Sequence, residues 1–173
     1  MASSYTLIAS ANADSSSVSA FTFNSIPSTY TDLKIVWSYK TANSGWQGSS
    51  LKFNNSSAGY YVDTYLQGTG SGAAGSGVNA NGTTSIYVGA IPGQSQTSTF
   101  AVGEIYIPNY TAATNKSAYV FCQTSYNTSL QFSGIISGQW AQTSAITRID
   151  LSTNGVDNLG QYSRAYLYGI SKS

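Results

Sequence analysis

The chain has 173 residues, of which only 8% are charged, and its net charge is +1 with no histidine. Seven lysine and arginine residues spread over the whole sequence form no basic patch, which excludes a surface built to neutralise nucleic-acid phosphates. One cysteine and six scattered carboxylates provide few of the groups with which enzymes move protons. We therefore expect a structural or binding protein that is not an enzyme and needs no cofactor or metal.

Apolar and polar residues alternate with a period of two through most of the chain, which is typical of half-buried β-strands. Turn residues such as Asn, Gly and Pro separate the alternating segments, and no segment has a sustained helical repeat. The sequence predicts eleven strands: 5–9, 18–23, 32–40, 50–54, 60–67, 85–89, 100–107, 116–124, 130–140, 146–151 and 165–170. This pattern favours an all-β fold, an antiparallel two-sheet sandwich of the jelly-roll-like kind.

Two of these segments identify the expected core. In residues 32–40 one face is large and apolar throughout, and in residues 130–140 one face combines large apolar residues with two glycines, so these faces should point between the sheets. In residues 100–107 both faces carry apolar side chains, which predicts a strand covered on both sides. The predicted core residues are Leu33, Ile35, Trp37, Phe132, Ile136 and Trp140.

Residues 68–82 differ from the rest because glycine and small polar residues dominate them. Such a segment has nothing to bury and a high backbone entropy, so the sequence predicts a long flexible loop within one domain that spans 1–173. The alternatives are a mobile connection and a contact loop that becomes ordered against a neighbour. In the second case Gly70, Ser71 and Gly72 are candidate contact residues.

The fourteen tyrosines are too many for one small core, and tyrosine is enriched at interfaces. Tyr110 is therefore a candidate contact residue. Trp46, which lies in a polar loop, is another, although it could equally fold over the end of the sandwich. Cys122 has no histidine to activate it, so it is read as a small buried hydrophobe.

The amino terminus has neither a cationic start nor a long apolar run, so we expect synthesis in a host cytoplasm without a secretory signal. No apolar run approaches the length that spans a bilayer, and we expect no membrane partner. Because few charges keep the molecules apart, the composition permits self-association.

Several blocks of the sequence, taken together and in order, resemble a set of small virion structural proteins of tailed phages that infect marine and freshwater bacteria. The blocks are residues 3–10, 21–33, 53–54, 104–110, 115–117, 140, 144–147 and 165–170. The resemblance implies a jelly-roll-like sandwich that assembles as a homotrimer. It implies either a capsid decoration (cement) protein or a tail-fibre-like module.

Decoration is the expectation we carry forward, because the sequence has no coiled-coil heptads and no triple-helical repeat that would form a fibre shaft. The expected location is then the capsid surface of the virion, and the expected partner is the major capsid protein. The alternative is a tail-fibre or receptor-binding module that recognises host surface glycans, with Trp46 as its best candidate residue.

Overall fold

The computed structural model describes residues 4–70, 74–95, 99–126, 130–155 and 157–171. Within these ranges the chain forms twelve β-strands and no helix, so no described segment is a helix that could cross a membrane. The strands are β1 (Ser4–Asn12), β2 (Ala20–Phe23), β3 (Asp32–Tyr39), β4 (Gln47–Phe53), β5 (Tyr61–Thr69), β6 (Ala74–Thr83), β7 (Ile86–Ile91), β8 (Ala101–Ile107), β9 (Lys116–Tyr126), β10 (Leu130–Trp140), β11 (Ile149–Thr153) and β12 (Arg164–Ser171).

These strands form two sheets. The larger sheet has eight strands in the order β1-β12-β3-β8-β9-β10-β5-β6, and the smaller has four in the order β2-β11-β4-β7. Every pairing between these strands is antiparallel. The predicted all-β, antiparallel two-sheet sandwich is confirmed, and its strand order is compatible with a jelly-roll-like description. All eleven predicted strands have a counterpart among the twelve.

The core lies between the sheets, as the alternating pattern requires. The six side chains predicted to form it are all buried: Leu33, Ile35, Trp37, Phe132, Ile136 and Trp140. Two stacked aromatic pairs contribute to the packing of the core. Trp37 stacks on Tyr39 with ring centroids 4.1 Å apart. Tyr61 stacks on Trp140 at 6.2 Å.

Strand β8 is covered on one face only. Its inward side chains, Ala101, Ile105 and Ile107, are buried, whereas Val102 and Tyr106 on the other face are exposed. The prediction that this strand is covered on both faces is therefore wrong. The reason is that the smaller sheet packs against one side of the larger sheet, and nothing in the described chain packs on the other.

The prediction of a long loop over residues 68–82 is also wrong, because residues 74–83 form strand β6 at the edge of the larger sheet. Strand β6 pairs with β5, and Gly77 lies opposite Tyr65. A Cβ at Gly77 would come within 2.4 Å of the Tyr65 ring. The ring thus occupies the space above the glycine backbone, an arrangement that stabilises glycine in edge strands. Gln67 covers Gly75 in the same way.

Cys122 is a core residue, which confirms its interpretation as a small buried hydrophobe. Its Sγ lies 3.7 Å from the carbonyl oxygen of Gly134, to which it donates a weak hydrogen bond. Burial raises the pKa of the Cys122 thiol to about 12, so the group stays protonated and unreactive at neutral pH. A Cβ at Gly89 would lie 2.5 Å from this sulfur, so the thiol occupies the space that the glycine leaves.

Candidate functional site

Three of the six carboxylates form ion pairs that tie strands or loops together. Glu104 lies 2.7 Å from Lys34. Asp150 lies 2.8 Å from Arg148, which binds it through two guanidinium nitrogens. Asp14 lies 3.0 Å from Arg164. All three pairs are wholly or partly exposed, so each contributes little to stability. Each joins one carboxylate to one cation, so none forms a catalytic pair of acids.

The other three carboxylates accept hydrogen bonds that fix the backbone or an adjacent loop. Asp32 accepts from the Tyr106 hydroxyl at 2.8 Å and from the backbone N–H of Asn109 at 2.9 Å. Asp63 accepts from the backbone N–H of Tyr87 at 3.0 Å, and Asp157 accepts from the Asn43 amide at 3.1 Å. The described residues contain no group of three or more His, Cys, Asp or Glu residues that could hold a metal ion.

Trp46 lies in the short loop that leads into β4, and 60% of its surface is exposed. Neighbouring segments hold this loop firmly. The backbone N–H of Thr41 donates to Pro92 at 2.9 Å, and that of Ala42 donates to Asn158 at 2.8 Å. The Ser95 hydroxyl donates to the carbonyl of Ser44 at 2.6 Å. The exposed indole is therefore carried by a loop with several fixed contacts, as a preformed contact site requires.

Trp46 stands beside a cleft of about 540 Å³ between the two sheets. The larger sheet contributes residues of β5, β9 and β10, and the smaller sheet contributes Gly48 of β4 and residues of β7. The volume is within the range of small-molecule sites in proteins. The lining residues are Trp46, Gly48, Tyr65, Gln67, Thr69, Tyr87, Ala90, Ile91, Pro92, Thr124, Gln131, Phe132 and Asn154.

Aromatic rings form the apolar part of this cleft. The Tyr65 and Tyr87 rings are tilted at 59° with centroids 5.8 Å apart. The Phe132 ring meets Tyr87 edge-on, at 86° and 6.4 Å. Burial raises the pKa of the Tyr87 phenol well above its ordinary value, so this group is neutral at physiological pH.

A second candidate surface is the outer face of the larger sheet, meaning the face that points away from the smaller sheet. The strand register places Glu104, Phe121, Ile135 and Leu66 side by side across β8, β9, β10 and β5. Ten large hydrophobic side chains on this face are at least 36% exposed: Tyr5, Leu7, Val36, Leu66, Val78, Val102, Tyr106, Tyr119, Phe121 and Ile135.

These ten side chains expose apolar surface on the order of 600 Å². That is as large as the largest apolar patch of a typical monomer, and it approaches the roughly 800 Å² that each partner buries in a standard interface. The exposed charges of Lys34 and Glu104 on this face form an ion pair, and the carboxylate of Asp32 is buried and accepts a hydrogen bond from Tyr106. The outer face is thus broad, apolar and close to neutral.

The structure separates the sequence-predicted contact residues. Trp46 is exposed beside the cleft. Gly70 is exposed in the turn after β5, and its N–H donates to the carbonyl of Gln131 at 3.1 Å. Ser71 and Gly72 lie outside the described residues. Tyr110 is fully buried, and its hydroxyl donates to the carbonyl of Pro27, so its prediction as a contact residue is wrong.

Sequence reasoning missed most of the cleft. Tyr65 and Gln67 belong to the inward-facing set of β5, and their alternation with exposed residues was visible in the sequence. Tyr87 and Phe132 looked like ordinary core residues. Nothing in the sequence indicated that a cleft stays open beside these two rings, because the cleft depends on the distance between the two sheets at these residues.

Comparison of the sequence with protein-family models finds no match, and neither does comparison with curated proteins or with solved structures.

Proposed function

We propose that this chain is a structural protein of a phage virion that decorates the outside of the head and stabilises the shell. The observation that carries the proposal is the outer face of the larger sheet, whose exposed apolar side chains match the largest apolar patch that a monomer normally exposes. The resemblance of the sequence blocks to small virion proteins supports the same role. The chain acts by binding, without chemistry of its own.

The occupant of the outer face is another copy of the same chain, and the assembly is a homotrimer. Two features favour a copy over a charged partner. Lys34 and Glu104 are paired and Asp32 is buried, so this face exposes little unpaired charge that would attract an oppositely charged surface or repel an identical one. The exposed apolar area is also close to what one partner contributes to a stable interface.

The trimer then binds the major capsid protein at junctions between its subunits. A ligand that binds only the assembled shell raises the stability of that shell by mass action, in proportion to the logarithm of its concentration. The protein is made in the host cytoplasm and resides on the capsid surface. Nucleic acid and membrane play no part in this role.

Light scattering coupled to size exclusion tests the assembly. We expect a mass three times the 18.2 kDa of one chain at micromolar concentration. Leu66→Lys or Ile135→Lys should produce monomers, because each places an unpaired charge in the interface. Trp46→Lys is the matched control: Trp46 is equally exposed but precedes the smaller sheet, so the trimer should persist. A monomeric wild-type protein would contradict the assembly.

Gold labelling of virions in negative-stain images tests the location. Label distributed over the heads supports decoration, and purified heads that lack the protein should rupture at a higher temperature when it is added back. Label at the tail would contradict decoration and would favour the second candidate, a tail-fibre or receptor-binding module. The observation that favours this candidate is the position of Trp46, exposed on a well-held loop beside the cleft.

A further inference from the structure

We propose that the cleft between the two sheets is a binding site for a short neutral saccharide, with Trp46 as its aromatic platform. This inference goes beyond the decoration role and does not depend on it, because none of the ten exposed hydrophobic residues of the outer face lines the cleft. It also supplies the chemical class of ligand that the second candidate function would require.

The apolar part of the cleft suits a sugar ring. A pyranose has one face of C–H groups that packs on an aromatic ring, while its hydroxyls point outward from the ring edge. The cleft provides one exposed indole, that of Trp46, and an aromatic corner built from Tyr65, Tyr87 and Phe132. Its volume of about 540 Å³ accommodates a mono- or disaccharide rather than a long chain.

The polar part of the cleft provides amides and a hydroxyl. Gln67 and Asn154 each carry a carbonyl acceptor and an NH₂ donor, so they can serve sugar hydroxyls, which also both donate and accept. Thr124 is 5% exposed, and its Oγ1 has no hydrogen-bond partner among the described residues. A buried hydroxyl without a partner is unfavourable. Oγ1 is itself shielded from solvent, so a turn of the Thr124 side chain towards the cleft would be needed for a sugar hydroxyl to become its partner.

The charge of the cleft selects among saccharides. None of the described residues that line it is charged. Sialic acids, uronic acids and phosphorylated sugars would therefore lose the hydration of their charge without gaining a cation in return. Neutral saccharides lose much less, so they are the favoured class.

Tryptophan fluorescence provides a direct assay, because the chain has three tryptophans and only Trp46 is exposed. The probes are a panel of neutral disaccharides (maltose, cellobiose, lactose) and monosaccharides, with sialyllactose and glucuronic acid as anionic counterparts. We expect at least one neutral probe at millimolar concentration to shift the emission to the blue and to protect Trp46 from acrylamide quenching. The anionic probes should bind at least tenfold more weakly.

Calorimetric titration of variants with the same probe completes the test. Trp46→Ala should weaken binding at least tenfold and leave the melting temperature unchanged, since the side chain packs little. Tyr162→Asn is the control: it removes an equally exposed aromatic outside the cleft, and asparagine tolerates the positive φ of 69° there. If no neutral probe binds, if anionic probes bind as well, or if Trp46→Ala binds like wild type, the proposal is wrong. None of these results bears on the trimer or its location.

Discussion

Strand β6 gives the sharpest test of the structure, because a flexible loop and an edge strand respond differently to Gly77→Ala. In a loop, an added methyl group reduces the entropy of the unfolded chain and is neutral or slightly stabilising. In strand β6 the new Cβ would lie 2.4 Å from Cζ and Oη of Tyr65, and 2.7 Å from Cε1. The ring must then move, and it cannot move freely because it packs on Tyr87.

The magnitude follows from two opposing terms. Overpacking costs about 1–3 kcal/mol, and replacing glycine in a strand returns about 0.5–1 kcal/mol. Gly77→Ala should therefore lower the free energy of unfolding by about 1 kcal/mol. Gly68→Ala is the matched control in β5, because a Cβ there has no heavy atom within 4 Å, and it should be neutral or stabilising by up to about 1 kcal/mol.

Urea unfolding followed by fluorescence measures the difference. With an m-value of about 2 kcal/mol/M, a difference of about 1–2 kcal/mol between the two variants separates their midpoints by about 0.5–1 M. Since Tyr65 also lines the cleft, Gly77→Ala should weaken saccharide binding, whereas Gly68→Ala should not. Equal midpoints for the two variants would refute the packing of Tyr65 over β6.

Three further predictions concern the core and the cleft. Ile35→Asp should leave the chain unfolded, because an unpaired buried charge costs several kcal/mol, and a native circular dichroism spectrum would contradict this. The pKa of Tyr61 is raised from 10 to about 12, chiefly by burial, so the stability that its neutral form contributes is complete below pH 10 and is lost as the pH rises towards 12. This loss of stability should reach about 2–3 kcal/mol in alkaline unfolding curves. It should be smaller in Tyr61→Phe, which has no phenol to ionise. That variant should also be less stable at neutral pH, because the N–H of Phe53 loses its hydrogen-bond partner. Thr124→Val should leave stability unchanged or raise it by up to about 1 kcal/mol, while it weakens saccharide binding in the calorimeter; a large loss of stability would show that the hydroxyl has a structural role.

Strand alternation made most of the fold predictable. In β3 and β10 the large apolar residues occupy every second position, and packing between two sheets follows directly. Strand β6 was not predictable in this way, because its inward positions are Gly75 and Gly77, and glycine adds no side chain to the alternation. The sequence indication of β6 lay instead on its partner strand β5, where the large side chains of Tyr65 and Gln67 require small residues opposite them.

The sites were harder to predict than the fold. Trp46 stood out because a large aromatic residue in a polar loop has no obvious place in a core. The tyrosines could not be sorted in this way, since burial depends on the surroundings of each ring: Tyr110 is fully buried whereas Tyr119 is 44% exposed. The cleft depends on five strands that meet only after folding, so neither its volume nor its lack of charge could be read from local sequence.

The strand order also has a consequence for biosynthesis. Strand β12 lies between β1 and β3 in the larger sheet, and β11 lies between β2 and β4 in the smaller one. Strand β1 pairs only with β12, and β2 pairs only with β11, so both strands stay unpaired until these later strands have left the ribosome. A nascent chain that stops before β11 therefore exposes the open edges of β1, β2, β3 and β4 to aggregation.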